Sequence, residues 1–376
     1  MTHSVLPNHL AQASAITALA HRSAHRVRSG IAPICPTLPT PMVQKNHPMC
    51  GNRQMQGHLF TLRLRVQQSR VRKSQRLVNP HGSIICQLHT INRRNYKVMA
   101  PRSLYHIDGN HKLIRILSIR PTVYYTCLLF CMWRLVIHSC IDSYSRRIIY
   151  HKCSSNNKAE TVFEAFVDGV QQLGLPERVR EDREGENIQV AAFMLEHPMR
   201  GTGRGIFVTG QYIHNQRIKW LWQDVFSQCT IIFYQLLYDM EDNRIFSIDN
   251  ESHIFCLHYL YISRINESLQ QFLHARNNHP MSSEANLTST QLWITGLAKY
   301  RNQPIEELSE EELVNYGIDW NGPLPSDEEV EIVTVSDTVI PLITDFYDVL
   351  HGNVDPLAYS RDYGIDLCLK ALQYVA

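Results

Sequence analysis

The feature that most narrows the fold is a change of period between residues 104 and 173. Leu104-Tyr-His-Ile-Asp108 and Leu135-Val-Ile-His-Ser-Cys-Ile-Asp142 are short apolar runs that each close on an acid. Ser145-Arg-Arg-Ile-Ile-Tyr150 follows a turn as a third run, and runs of this length and composition predict strands. Over 158–173 the period lengthens to that of a helix, with Ala159, Val162, Phe163, Phe166, Val170 and Leu173 on one apolar stripe. Asn156 or Asn157 stands where a cap belongs, and Gly174 where the helix must stop. Glu177-Arg-Val-Arg-Glu181 is then a short strand leading to Asp182, while 215–233 and 254–272 read as helices. Three antiparallel strands, a helix, a strand and further helices predict an α/β layered domain.

Charge is distributed unevenly around that domain. Residues 1–100 hold 14 Lys/Arg and no Asp or Glu, whereas 302–360 hold 14 Asp/Glu and no Lys or Arg. This gradient predicts a nucleic-acid-facing front and an acidic C-terminal extension over 301–376, solvated and flexible over 306–331. Residues 1–50, with Pro33, Pro36, Pro39 and Pro41 and little periodicity, read as disordered or foreign to the fold. From Gly51 to residue 100 a small basic helical module is expected, of helix-turn-helix type. Met55, Leu59, Leu62 and Val66 form its apolar spacing, and Arg63, Arg65, Arg70, Arg72, Lys73, Arg76, Arg93 and Arg94 are its candidate phosphate contacts.

The ten cysteines are scattered, with no C-x-x-C and no zinc-finger spacing, so free thiols in a reducing compartment are expected. His3, Asn8, His9 and Gln12 interrupt any apolar signal core, which points to a nuclear or cytoplasmic rather than a secreted chain. The glycine-rich 201–205 is not set between a strand and a helix and is no nucleotide cradle; Arg200 and Arg204 beside it are candidate DNA contacts.

Four ordered motifs carry a family resemblance spanning about Gly51 to Trp320. Tyr105-His-Ile-Asp108-Gly-Asn-His-Lys-Leu-Ile-Arg115 resembles the first acidic strand of integrase core domains, and Ile141-Asp142-Ser-Tyr-Ser145-Arg146 their next strand end. Arg180-Glu-Asp182-Arg-Glu-Gly185-Glu186-Asn187 resembles the segment with the second catalytic Asp. His214-Asn-Gln-Arg-Ile218-Lys219-Trp-Leu-Trp222-Gln-Asp224 resembles the helix of the third acid. The resemblance to integrase and DDE-transposase cores implies a ribonuclease H-like three-layer domain over 101–300, a mixed five-stranded sheet flanked by helices. It further implies Asp108, Asp182 and an acid at position 219 as the catalytic set, with Asp108 and Asp182 as metal ligands. Mg²⁺ or Mn²⁺ would be the cofactor, DNA the partner and a homo-oligomer the assembly, with no membrane and no small-molecule cofactor. Two cations roughly 3.5–4 Å apart activate the attacking oxygen and steady the leaving one in such phosphodiester chemistry, and hard cations take carboxylate oxygens.

This chain departs from the pattern in three places. Position 219, after 36 intervening residues from Asp182, is Lys, whose ammonium gives a metal no oxygen and repels it. Asp224 is no replacement, lying about 140° around the helix, and Glu186 is the one nearby acid that could rescue the set. Glu181 and Glu184 stand where the family has small residues, glycine at the latter. Residues 116–132 form an apolar insertion between Arg115 and Trp133, which the resemblance would make neighbours; they read as translated intervening sequence or an added strand. Strand transfer is therefore expected to be lost or severely impaired. The alternatives are a non-catalytic nucleic-acid-binding protein with the integrase fold, and a relic that folds poorly.

Overall fold

The computed structural model describes residues 39–80, 98–110, 133–182, 185–200, 206–210, 215–300 and 346–374, with isolated positions between 308 and 335. Arg93, Arg94, Glu184, Arg204, the insertion at 116–132 and most of the acidic stretch at 306–331 lie outside the described residues. The chain divides into two compact units, Met1–Ile91 with His274–Thr288, and Asn92–Leu273 with Ser289–Ala376.

The larger unit is built on five strands: β1 (Tyr105–Asn110), β2 (Val136–Asp142), β3 (Ile148–Ser154), β4 (Val179–Asp182) and β5 (Phe207–Gly210). Their order is β3-β2-β1-β4-β5. β1 pairs antiparallel with β2 from Tyr105↔Asp142 to Asn110↔Ile137, and β2 pairs antiparallel with β3. β4 is parallel to β1 and to β5. This is the mixed, helix-flanked sheet of the ribonuclease H-like fold.

One strand differs from its sequence expectation. β3 starts at Ile148 rather than Ser145, because Asp142 turns the chain first. Its carboxylate accepts from the Ser145 N–H at 2.7 Å and hydroxyl at 2.6 Å, and Arg146 takes the left-handed conformation at φ 60°. A short polar side chain that binds its own backbone two or three residues on is a turn device.

Period-two alternation sends the two faces of the sheet to different cores. Tyr105, Ile107 and Cys140 join a cluster with Val162, Ala165 and Phe166 of α4 (Ala159–Leu173) and with Val190 and Met194 of α5 (Ile188–Glu196). Before α4, Asn156 accepts from the Lys158 N–H and the Thr161 hydroxyl, and Gly174 at φ 95° ends the helix. Ile137, Ile141 and Cys153 join the opposite cluster with α6 (Gln216–Val225), α7 (Ile231–Asp242) and α8 (Glu251–Asn277). A π-helical turn, Phe226–Thr230, links α6 to α7 inside the single helix expected over 215–233. Trp133 is fully buried among α7 side chains, with edge-on contacts to Tyr234 and Tyr238, and its indole N–H donates to Glu241.

The C-terminal helices α10 (Phe346–Asn353) and α11 (Ile365–Leu372) follow α9 (Ser289–Lys299) in chain order. Leu350, Val354, Cys368, Ala371 and Leu372 complete the α6-side core. The charge pattern assigns these residues to an acidic extension; their helical apolar spacing is hidden when charge is summed over the whole segment.

The smaller unit contains α1 (Thr40–Asn46), α2 (Asn52–Thr61) and α3 (Gln68–Val78) around Val43, Cys50, Met55, Leu59 and Val71. Helix α1 falls within the 1–50 stretch read as disordered or foreign, and Val43 and Cys50 share one core with Met55. Gly57 admits close backbone contact, since a Cβ there would sit 2.2 Å from the Ala275 carbonyl oxygen. The six cations Arg63, Arg65, Arg70, Arg72, Lys73 and Arg76 are all exposed.

Phe166, 1% exposed, fills the core beneath α4. Phe166→Ala should cost about 3–5 kcal/mol through lost burial and a residual cavity, seen as a lower urea midpoint with an unchanged slope.

Candidate active site

The alternation that points Tyr105 and Ile107 at α4 turns His106 and Asp108 to the other face, beneath α6. Helix α6 is fixed there by the residue before it. Asn215, fully buried, donates through Nδ2 to the Ile107 carbonyl at 2.9 Å, and its Oδ1 accepts from His106 Nδ1. Two turns on, the Trp222 indole N–H donates to Asp108 Oδ2 at 2.8 Å. The other side of the Trp222 ring stacks with His151, centroids 5.5 Å apart, and His151 Nδ1 donates to Ser139 Oγ at 2.7 Å. Ser139 is the cross-strand partner of Asp108, so His151 of β3 and the Trp222 ring stacked on it both lie on the face of the sheet that carries the first acid.

Positions 215, 219 and 222 follow the i, i+4, i+7 spacing of one helix face. Lys219 therefore lies between two contacts to residues 106–108, and it is 8% exposed. Asp182 ends β4. The parallel register pairs Tyr105 with Val179 and His106 with Arg180, two residues ahead of Asp108 and Asp182 on the adjacent strands. The three positions named by the resemblance thus lie on β1, at the end of β4, and on α6, the helix bonded to β1 through Asn215 and Trp222.

The flanking groups have distinct roles. Asp142, also fully buried, accepts from the Arg102 backbone N–H at 2.9 Å as well as from Ser145, and it builds the β2–β3 turn. Burial pushes its carboxyl up to about 6 against the pull of those hydrogen bonds and of Arg217. Burial and the nearby Arg180 push His106 down to about 3, opposed by its bond to Asn215. Burial alone does the same to His151. Both rings are neutral at pH 7.

Glu181 and Glu186 are buried, and Glu186 sits in the 3₁₀ turn Gly185–Asn187. Asp224, partly exposed, lies off the Asn215–Lys219–Trp222 face. Arg200 donates to the Leu175, Pro176 and Met199 carbonyls at 2.7–3.0 Å, tying the chain ahead of β4 to the end of the α5 segment. Among the described residues no group of three His, Cys, Asp or Glu side chains could hold a metal, and no helix is long and apolar enough to cross a membrane.

Sequence reasoning gave no role to Asn215 or His106. The signal available was an Asn at the start of a helix and a His at an inward position of β1, each unremarkable until the two elements meet.

Comparison with known proteins gives a family match over residues 126–305, to a model described as "Integrase core domain". The matched span contains Asp182 and Lys219 and begins after Asp108. No curated protein matches. Among solved structures, the HTLV-2 integrase catalytic core domain in complex with magnesium is 13% identical, covers 52% of this chain and 99% of its own, and superposes with a TM-score of 0.30. A simian T-cell lymphotropic virus intasome in complex with PP2A regulatory subunit B56 gamma is also 13% identical, covers 81% and 83%, and gives a TM-score of 0.34.

The buried histidines set the pH response of the fold. His106 and His151 near 3, and His258 near 4 where burial outweighs its bond to the Trp133 carbonyl, all lie below the ordinary 6.5. Their stabilisation is complete above 6.5 and is lost as pH falls toward 4, because the unfolded chain binds the protons first. Asp142 acts oppositely: with its carboxyl raised from 3.8 to about 6, its contribution is present at low pH and lost as pH rises through 6. Three groups outweigh one, so the urea midpoint should fall on acidification from pH 7 to pH 4. A flat or rising profile would contradict the assignment. Trp222→Phe, which keeps the stacked ring but removes the N–H donor to Asp108, should cost about 1–3 kcal/mol in the same assay.

Proposed function

We propose, for a chain whose residues 126–305 belong to the integrase core domain family, that it is a DNA-binding protein that keeps the integrase fold and has lost, or nearly lost, metal-dependent strand transfer. The observation that carries this reading is Lys219, buried on the α6 face that meets β1, in the place of the third acid. The family's chemistry needs carboxylate oxygens from three elements around divalent cations. Asp108 and Asp182 would supply two of these groups, and the third position supplies an ammonium. One oxygen of Asp108 also takes the Trp222 N–H. This donor set does not fit a pair of Mg²⁺ or Mn²⁺ ions.

DNA binding is assigned to the basic unit. Arg70, Arg72, Lys73 and Arg76 project from α3 with Arg63 and Arg65 just before it, all exposed, and no acid occurs anywhere in residues 1–100 to oppose them. Such a surface binds phosphates by releasing counterions, which makes affinity steeply salt-dependent. Arg93, Arg94, Arg200 and Arg204 of the larger unit are further candidate DNA contacts in the same proposal, with Arg200 also donating to main-chain carbonyls. A homo-oligomer acting on paired DNA, in the nucleus or during passage through the cytoplasm, agrees with the family and is part of the same proposal.

Two measurements test it. Duplex DNA affinity should fall as salt rises, and Arg72→Ala or Arg76→Ala should each reduce the log–log salt slope by about 1, while Asp108→Asn leaves it unchanged. With labelled DNA ends and Mg²⁺ or Mn²⁺, the unaltered chain should give no joined product, and Lys219→Glu should restore some. Robust joining by the unaltered chain would overturn the loss of activity; salt-insensitive or absent DNA binding would overturn the rest.

A further inference from the structure

The larger unit holds a cavity of about 420 Å³ lined by α8 and by residues between 347 and 357. Phe255, Tyr259 and Ile262 stand at i, i+4 and i+7 on α8, which is one helix face, and Tyr347 and His351 lie one turn apart on α10. Their rings meet at set angles. Tyr259 and Tyr347 are perpendicular, at 88° with centroids 6.0 Å apart, whereas Tyr347 and His351 are nearly parallel, at 9° and 6.0 Å. The Tyr259 hydroxyl donates to the Val354 carbonyl at 2.8 Å, which holds its ring and ties the chain after α10 to α8. Asp355 is the one acid in the lining, and no Lys or Arg lines it. Burial raises the Tyr259 phenol, and Tyr347 and Asp355 add to the effect, so this carboxylate acts on the same ring. Asp355 Oδ1 accepts from the Leu357 N–H at 2.9 Å, and among the described residues Asp355 makes no ion pair. Arg264 of α8 and Lys370 of α11 donate to the Ala358 and Asn353 carbonyls instead. Tyr347 is 54% exposed, so the cavity opens to the outside.

Aromatic faces attract cations placed within about 6 Å of the ring centroid, and most strongly those that give up water easily. Two faces at a right angle suit a rounded cation in the corner between them. A methylated ammonium meets both needs, since its methyl groups offer apolar surface to the rings while the charge remains. The surroundings decide what carries it. Exposed Asp348 lies beside Tyr347 on α10, and residues 302–360 hold 14 Asp/Glu and no Lys or Arg. Such a field repels phosphate-bearing occupants and attracts a basic peptide. We propose that this cavity is a docking site for a methylated lysine side chain on a basic peptide segment of a partner protein. The methylammonium occupies the corner between Tyr259 and Tyr347, with Phe255 on its apolar side and Asp355 toward its charge. The acidic flank attracts the rest of the peptide, which gives the charge of the C-terminal extension a role separate from the reaction site. The inference is independent of what position 219 does.

Fluorescence anisotropy of a labelled short basic peptide bearing one trimethyl-lysine, titrated with the full chain, tests it. Saturable binding is expected, several-fold tighter than for the same peptide with unmodified lysine. The uncharged tert-butyl analogue of trimethyl-lysine, equal in shape, should also bind several-fold more weakly. Tyr347→Leu, which keeps apolar bulk and removes the ring, should weaken binding by roughly 2- to 30-fold. Asp355→Asn should weaken it by about 2- to 5-fold, the scale of an exposed charge pair. Tyr359→Ala, at a position 73% exposed and outside the lining, should leave it unchanged. Absence of saturable binding would overturn the proposal, as would equal affinity for the tert-butyl analogue or unchanged affinity in Tyr347→Leu. Tetramethylammonium chloride binding as tightly as the peptide would assign the cavity to a free amine and overturn the partner-protein reading. Should Tyr347→Leu lower the thermal midpoint, the comparison of charged and uncharged peptides on the unaltered chain still decides.

Discussion

The larger unit depends on the clamp by which Asn215 holds the start of α6 to the main chain of β1. A single amide side chain donates to the Ile107 carbonyl and accepts from His106, and these are consecutive residues immediately before Asp108. The clamp fixes the rotation of α6, and through the helical repeat it fixes which side chains meet the sheet. Ile218, Leu221, Trp222 and Val225 go to the core, and the Trp222 indole N–H also reaches Asp108 of β1. Were α6 turned by one residue, about 100°, the indole would lose Asp108 and an apolar residue would stand in its place.

Burial then decides the chemistry of what is gathered there. His106, His151 and Asp142 are all shielded from water, and each is driven toward its neutral form. Hydrogen bonds hold these groups in place: Ser139 for His151, Asn215 for His106, and Ser145 with Arg102 for Asp142. Such networks rigidify a core when satisfied and are costly when broken. They make the end of the sheet a firm scaffold whatever reaction it does or does not support. The basic unit works by a different principle, with six exposed cations on a small helical core that presents charge outward.

Much of this was legible in the sequence. The alternating runs at 104–108 and 135–142 and the apolar stripe over 158–173 become β1, β2 and α4 nearly as spaced, because these elements are dictated by local periodicity. The boundaries that moved did so for tertiary or turn-level reasons. β3 begins later because Asp142 and Arg146 form a turn, and the 215–233 helix carries a π turn where Cys229 and Thr230 pack inward. The acidic C-terminal segment illustrates the same limit. Its summed charge marks it as acidic and does not show that Leu350, Val354, Cys368 and Ala371 are fully or almost fully buried, since a few apolar positions at helical spacing suffice to dock a helix.

The sequence by itself determined the order of the elements, the acids carried by β1 and β4, and the presence of Lys219 where a third acid is expected. Those are matters of residue identity and spacing along one chain. Only the tertiary structure decided that β1 and β4 lie side by side and parallel, that the Trp222 indole reaches Asp108, and that Lys219 is buried between two contacts to β1. The physical reason is that these relations join residues more than seventy positions apart in sequence. They are set by the rotation of a helix on a sheet, which Asn215 fixes and no local pattern encodes.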